Sequence, residues 1–296
     1  MKIFVVIPVH NRLEYTRACL DMLRAQSFRD FTPIVVDSDS RDGTPELVAA
    51  EYVEAALLGT DSESWWTRAT NLGVEWALRR GGPDDMVLTL NNDTVFGPSY
   101  LASLVAGARQ CPGAIVGSLV VHDRDGRTIV DGGVRINWFT GRYLALGRGE
   151  DALRVESRGL VASDALSGCG TLIPLPVFAD IGLYAAQQLP HYAADYEFTL
   201  RARRRGVGVF VDYRTRLITM TQATGIHASP DSADLPTFLR SFWDIRSANS
   251  LRHRFNFARL VCPRSALPTF LVLDTLRVVG GALRRRYLGR RSGMST

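Results

Sequence analysis

The chain has 296 residues, 46% of them hydrophobic, with four cysteines and a formal net charge of +5. That length and apolar content suit one large or two small folded domains and exclude a disordered polymer. The charge rests almost wholly on arginine, Lys2 being the one lysine, and it crowds the tail at Arg284, Arg285, Arg286, Arg290 and Arg291. With no interleaved aromatics or known motif, this is not a nucleic-acid signature. Cys19, Cys111, Cys169 and Cys262 are scattered, which excludes a zinc site or dense disulfide framework and fits a reducing cytoplasm. The N-terminus opens directly on a strand, so no export signal is expected. The apolar stretch Ala266 to Leu283 is broken by Pro268, Asp274 and Arg277, so no transmembrane helix is expected.

In chain order, Lys2 to Val9 is a β-branched run of the kind buried on both faces of a parallel sheet. Leu13, Arg17, Leu20 and Leu23 have helical spacing, and Pro33 to Val36 forms the second strand of a βαβ unit. That strand opens into a polar loop, Asp37 to Thr44, before a helix over Pro45 to Glu54 with proline in its first turn. In this loop Asp39 and Asp42 read as turn formers. Thr67 is placed as the cap of a helix through Arg79, stopped by Gly81 and Gly82. Next comes VLTLNNDT, Val87 to Thr94, a buried strand that delivers Asn91, Asn92 and Asp93 to the rim of the sheet, where ligands sit in open α/β sheets. Ser99 to Arg109 reads as a further helix. The alternation through about residue 110 argues for a doubly wound half.

From Ala114 to Arg148 the sequence turns strand-like and glycine-rich, as in an antiparallel excursion or mobile loops. Asp164 to Pro174 reads as a strand whose small residues Ser167, Gly168 and Gly170 admit a ligand or another backbone. His191 to Glu197 leads into a helix ending at Arg203 to Gly206, and Val207 to Val211 is another strand. Phe238, Phe242, Ile245 and Leu251 predict a helix packed on this body. Phe270 to Arg286 predicts a second, whose basic amphipathic pattern suits an anionic membrane or a solvated helix end.

The series IPVHNR, VVDSDSRDGT, ATNLG, LNNDT, SGCGTLIP and AADYEFTLRARRRG resembles the family 2 inverting glycosyltransferases over roughly residues 2 to 225. WWTRATNLG with LNNDT is similar to the bacterial branch that contains rhamnosyltransferases. The resemblance implies an α/β fold of the GT-A, Rossmann-like type: a mixed, mostly parallel central sheet flanked by helices, with C-terminal helices. It implies a catalytic domain over 1–228, with a nucleotide-binding half at 1–110 and an acceptor half at 111–228. A helical extension with a basic tail would occupy 229–296.

By resemblance, Asp93 holds a divalent cation, Mg²⁺ or Mn²⁺, both of which suit oxygen ligands. Asn91 stands where many relatives carry an aspartate, which lowers the site's charge and leaves other ligands to the diphosphate. Asn91 and Asn92 border the donor. Asp37 binds the base, with Pro8, His10 and Arg12 as the adjoining wall. Asn71 lies near the nucleotide, and Arg68 compensates for Thr70, which replaces a common arginine. Trp65 and Trp66 stack on a ligand or anchor the core. His227 completes the metal shell or touches the diphosphate. Asp195 is the general base, Ala194 replacing the acid usually before it, although a carboxylate at a helix start also has a purely electrostatic explanation. Glu197 orients the acceptor or a neighbouring arginine.

The implied partners are a dTDP- or UDP-sugar, with rhamnose as the sugar, and a glycan or lipid-linked acceptor in bacterial cell-surface polysaccharide synthesis. Nucleic acid is not among them. The implied location is cytoplasmic, with a peripheral contact at the inner face of the membrane. Asn91 and Ala194 in place of acids leave open a non-catalytic nucleotide-sugar or carbohydrate-binding protein. A dinucleotide-dependent oxidoreductase would need a glycine fingerprint after the first strand, which is missing.

Overall fold

The computed structural model describes residues 1–220, 235–244, 247 and 250–292. Strand β1 (Ile3–Val9) lies inside the main sheet and is followed by α1 (Leu13–Arg24) and β2 (Phe31–Ser38). Alternate residues of β1 serve opposite cores: Phe4 and Val6 face one side, Ile3, Val5 and Ile7 the other with Cys19, Leu20 and Leu23 of α1. A strand covered on both faces has no polar side, hence its unbroken apolar run. The chain continues through α2 (Thr44–Glu51), β3 (Ala56–Thr60), α3 (Trp66–Leu78) and β4 (Met86–Thr89). Ala69, Val74 and Ala77 of α3 join the core under Phe4 and Val6. The spatial order β3-β2-β1-β4 means that α3 carries the chain across β1, and the strand order reverses between β1 and β4. Loops at the carboxyl ends of these strands diverge there and leave a crevice.

The second half contains β5 (Thr94–Val95), α4 (Tyr100–Gln110), β6 (Ile115–His122), β7 (Ile129–Asp131), β8 (Val134–Asn137) and β9 (Arg142–Ala145). It continues with α5 (Ala152–Val155), β10 (Leu160–Ala162), β11 (Thr171–Pro174), α6 (Leu175–Ile181), α7 (Ala194–Arg204) and β12 (Val209–Thr219). The sheet extends past β4 as β11-β6-β12-β10, with β11 antiparallel to both neighbours and β12 parallel to β6. The result is a mixed sheet, parallel along most of its registered length and flanked by helices. The glycine-rich region proves to be part sheet, since β6 is a central strand, and part excursion, since β8 and β9 form a separate antiparallel pair.

Three elements depart from the expected pattern. The strand expected from Asp164 is regular only over Thr171–Pro174, because Asp164 accepts from the Ile136 N–H and pairs with Arg135 and Arg203. Thr67 does not cap α3: the helix starts one residue earlier, and the Thr67 hydroxyl donates to the Leu189 carbonyl at 2.7 Å. The helix expected across Phe238 to Leu251 is divided, with α8 (Leu235–Arg240) ending before Leu251 opens α9 (Leu251–Val261). Ile245 lies outside the described residues. Helix α10 (Leu267–Ser292) packs through Val278 and Ala282 against Phe238 of α8 and Phe242 in the turn after it. Among the described residues, no helix is long and apolar enough to cross a membrane.

Helix α3 lies so close to the sheet that a Cβ on Gly73 would sit 2.5 Å from Val6 Cγ1 and 3.2 Å from Val36 Cγ2. Gly73→Val is therefore expected to destabilise the chain by about 1–3 kcal/mol through overpacking. Thermal unfolding should show the midpoint fall by roughly 2–4 °C per kcal/mol; an unchanged midpoint would contradict the close packing.

Candidate active site

The site is built from four strand ends. After β1, Asn11 and Arg12 both adopt left-handed backbone, with φ of 56° and 71°, a conformation costing non-glycine residues on the order of 1–3 kcal/mol each. The following loop holds them there. The Asn11 N–H donates to Ser40 Oγ at 2.7 Å, the Arg41 N–H donates to Asn11 Oδ1 at 3.0 Å, and the Leu13 N–H donates to Asp42 Oδ2 at 2.8 Å. The two loops are thus interlocked, and Asp42 is the turn former expected of it. His10 joins them, its Nδ1–H donating to the Ser38 carbonyl at 2.6 Å. Pro8, half-buried, is registered against Val36 of β2.

This turn directs Arg12 at Asp93, with Nη1 donating to Oδ2 at 3.0 Å. Asp93 is only 2% exposed, and its Oδ1 is buried with no hydrogen-bond partner among the described residues. Burial raises its pKa, against the opposing pull of Arg12. A buried carboxylate oxygen without a donor is a costly group, and a cation is one thing that would satisfy it. Asp37 has the same character at the end of β2: Oδ2 accepts from the Ser40 N–H at 3.0 Å, while Oδ1 is buried with no hydrogen-bond partner among the described residues.

The other donor-side residues expected from sequence divide. Asn91 stays at the rim, its Oδ1 accepting from Trp66 Nε1 at 3.1 Å. Asn92 turns inward and donates to Thr16 Oγ1 at 3.0 Å. Asn71 is buried and clamps the backbone of Tyr184, donating to its carbonyl at 2.9 Å and accepting from its N–H at 3.0 Å. Both amides brace the walls of the site. Arg68 lies outward, paired with Asp61 at 3.2 Å. His227 lies outside the described residues.

The second half of the chain meets this rim through one glycine. Strand β11 runs antiparallel to β4, so the loop before it returns past Asn91. There Gly168 packs against Trp66, where a Cβ would lie 2.3 Å from the indole ring, and its N–H donates to Asp195 Oδ2 at 2.8 Å. The Tyr196 N–H donates to Oδ1 at 2.8 Å, as befits a carboxylate in the first turn of α7. Burial raises the pKa of Asp195; the two N–H bonds oppose the shift and Asp131 adds to it. Glu197 points away and grips Arg201 at 2.8 Å, which donates to the Ile181 and Leu183 carbonyls. Its arginine-orienting alternative is the one the geometry provides.

Asp195 lines a cavity of about 550 Å³ shared with Asp131, Tyr143, Tyr196, His253 and Arg254. Sequence reasoning missed Asp131 and the whole contribution of α9 and α10. Asp131 lies in the stretch from Ala114 to Arg148 that reads only as strand-like and glycine-rich, and the C-terminal helices carry no motif.

A family model described as Glycosyl transferase family 2 matches residues 4–154. The chain belongs to this family. Among its relatives, the N-acetylglucosaminyl-diphospho-decaprenol L-rhamnosyltransferase of Mycobacterium tuberculosis is 30% identical over 104 residues, 33% of this chain and 34% of that protein. An uncharacterized glycosyltransferase of Rickettsia bellii is 20% identical over 185 residues, 61% of this chain and 24% of its own length. The matches thus span about a third or less of these relatives. Among solved structures, S. aureus TarS 1-349 in complex with UDP-GlcNAc aligns with a TM-score of 0.56 at 17% identity, over 94% of this chain and 82% of that one. GalNAc-T7 with UDP, GalNAc and Mn²⁺ gives 0.59 at 15% identity, over 76% and 44%. At such identities the likeness shows the shared GT-A fold.

Gly168→Ala would push Trp66 off Asn91 and shift the donor that holds Asp195. A misplacement of about 1 Å at such a point is expected to lower kcat by on the order of 100-fold, with the circular dichroism spectrum retained. Wild-type kcat in this variant would contradict the contact.

Proposed function

We propose that this glycosyltransferase family 2 member is a metal-dependent inverting hexosyltransferase that moves L-rhamnose from dTDP-rhamnose to a glycan or lipid-linked acceptor in bacterial cell-surface polysaccharide synthesis. The observation that carries the reading is Asp195: a cavity-facing carboxylate, oriented by two N–H groups and raised in pKa, across Gly168 and Trp66 from the rim that bears Asp93. The relative named as an L-rhamnosyltransferase supports the sugar. GalNAc-T7 with UDP and TarS with UDP-GlcNAc support a pyrimidine nucleotide, uracil being the alternative base.

Asp37 Oδ1 would accept the imide N–H of the pyrimidine. Asp93 Oδ1 would be the protein's ligand to Mg²⁺ or Mn²⁺; with no cluster of three metal-ligating acids, histidines or cysteines among the described residues, the fit is to an ion that keeps water and phosphate ligands. When bound, such an ion supplies Lewis-acid stabilisation of the departing diphosphate. Asp195 takes the proton of the acceptor hydroxyl as its oxygen bonds to the anomeric carbon. The bond from that carbon to the nucleoside diphosphate breaks on the opposite face, and the configuration inverts.

With acceptor present, nucleotide release from a panel of sugar nucleotides should be fastest from dTDP-rhamnose, require Mg²⁺ or Mn²⁺, and be lost in Asp93→Ala. Asp195→Asn should lower it by about 10²–10⁴-fold. Metal-linked binding without turnover, equal in wild type and Asp195→Asn, would instead make this a nucleotide-sugar-binding protein.

Asp195 must be ionised to act, and its pKa is raised. The wild-type kcat/KM should therefore fall as pH drops through a value above the ordinary aspartate value of about 3.9. A rate that is flat across the acid range would contradict a carboxylate base.

A further inference from the structure

Helix α10 presents an apolar stripe to solvent as well as to the core. Its packed face carries Phe270, Asp274, Val278 and Ala282, and so includes a carboxylate, which Arg254 holds at 2.8 Å. The opposite face carries Val272, Leu276 and Leu283, exposed by 59%, 63% and 52%. At about 100° per residue their spacing of four and seven places all three within roughly 40° of one another. Leu273, 39% exposed, borders the stripe.

Arg284 and Arg285 are exposed directly after it, and the helix runs on through Arg290 and Arg291. Beside it, α8 and the turn after it pack inward through Phe238 and Phe242, while Leu239 and Trp243 are exposed by 56% and 72%.

We propose that this stripe and its basic end form a docking surface for an anionic lipid bilayer, with α10 lying in the plane of the interface. Charge complementarity selects this occupant. An aliphatic face that leads into an arginine cluster matches acyl chains beneath anionic headgroups, and an exposed tryptophan belongs at that boundary. Helix α10 is not apolar enough to cross the bilayer, so it lies on the surface. Its inner face contributes Asp274 to the wall of the cavity that contains Asp195. Docking there holds the cavity against the lipid surface, within reach of a lipid-linked acceptor; this consequence rests on the transferase reading, whereas the docking itself does not.

The test is co-sedimentation of the full chain with phosphatidylcholine vesicles, with and without phosphatidylglycerol. Binding is expected only with phosphatidylglycerol and should weaken with salt. Leu276→Glu/Leu283→Glu should reduce it by on the order of tenfold or more, and Arg284→Ala/Arg285→Ala by about fivefold for each arginine. Both double variants should keep the wild-type circular dichroism spectrum. No binding to anionic vesicles, or equal binding by the Leu276→Glu/Leu283→Glu variant, overturns the proposal. So does a lipid-independent dimer that this variant dissolves, which would assign the stripe to a second copy. Vesicle binding without donor turnover would sink the transferase reading and leave the docking surface intact; turnover without vesicle binding would do the reverse.

Discussion

The missing side chain of Gly168 is the constraint on which the site depends. Because nothing projects from its Cα, the indole of Trp66 lies flush against the loop and reaches Asn91, while the Gly168 N–H reaches Asp195. One residue thereby joins the rim at the end of β4 to the first turn of α7. The antiparallel pairing of β11 with β4 brings them into range, and the close contact fixes their separation. Precise placement of reacting groups is worth several kcal/mol to a group-transfer enzyme, so in the proposed transfer this steric detail of the loop before β11 would have a direct chemical consequence.

Around this point the fold carries features that oppose its own stability. Asn11 and Arg12 hold strained backbone, and Asp37 and Asp93 each bury an oxygen with no hydrogen-bond partner among the described residues. Asp93 and Asp195 bind protons more tightly in the folded chain than in the unfolded one. Their effect on stability is therefore unfavourable as pH rises from the ordinary carboxylate value through the raised one. Such sites persist because the surroundings over-determine them. Here the interlocked loops after β1 and β2 and the two-sided core of β1 do so.

Much of this was legible in sequence wherever one local rule decided the outcome. The continuous apolar runs of β1 and β4, the polar residues at their ends and the helix after Ala193 follow from periodicity and order alone. Strand β3 was invisible because it is a half-exposed edge with no apolar alternation. The extent of β11 was overread because Asp164 takes tertiary partners instead of extending the strand. Asn71 and Asn92 sit in motifs that pointed to the nucleotide, yet their amides are committed to Tyr184 and Thr16; side-chain direction is set by contacts far away in the chain. The same holds for the Arg254 and Asp274 pair, two residues of separate helices that no motif connects.

The central claim is that a single carboxylate, Asp195, deprotonates the acceptor on the face opposite the leaving diphosphate. The most direct measurement is the anomeric configuration of the new glycosidic bond, read from the one-bond carbon–proton coupling of the purified product by NMR. The geometry predicts a configuration opposite to that of the donor. A product that retains the donor configuration would require two displacements or a front-face reaction, and would contradict the role assigned to Asp195.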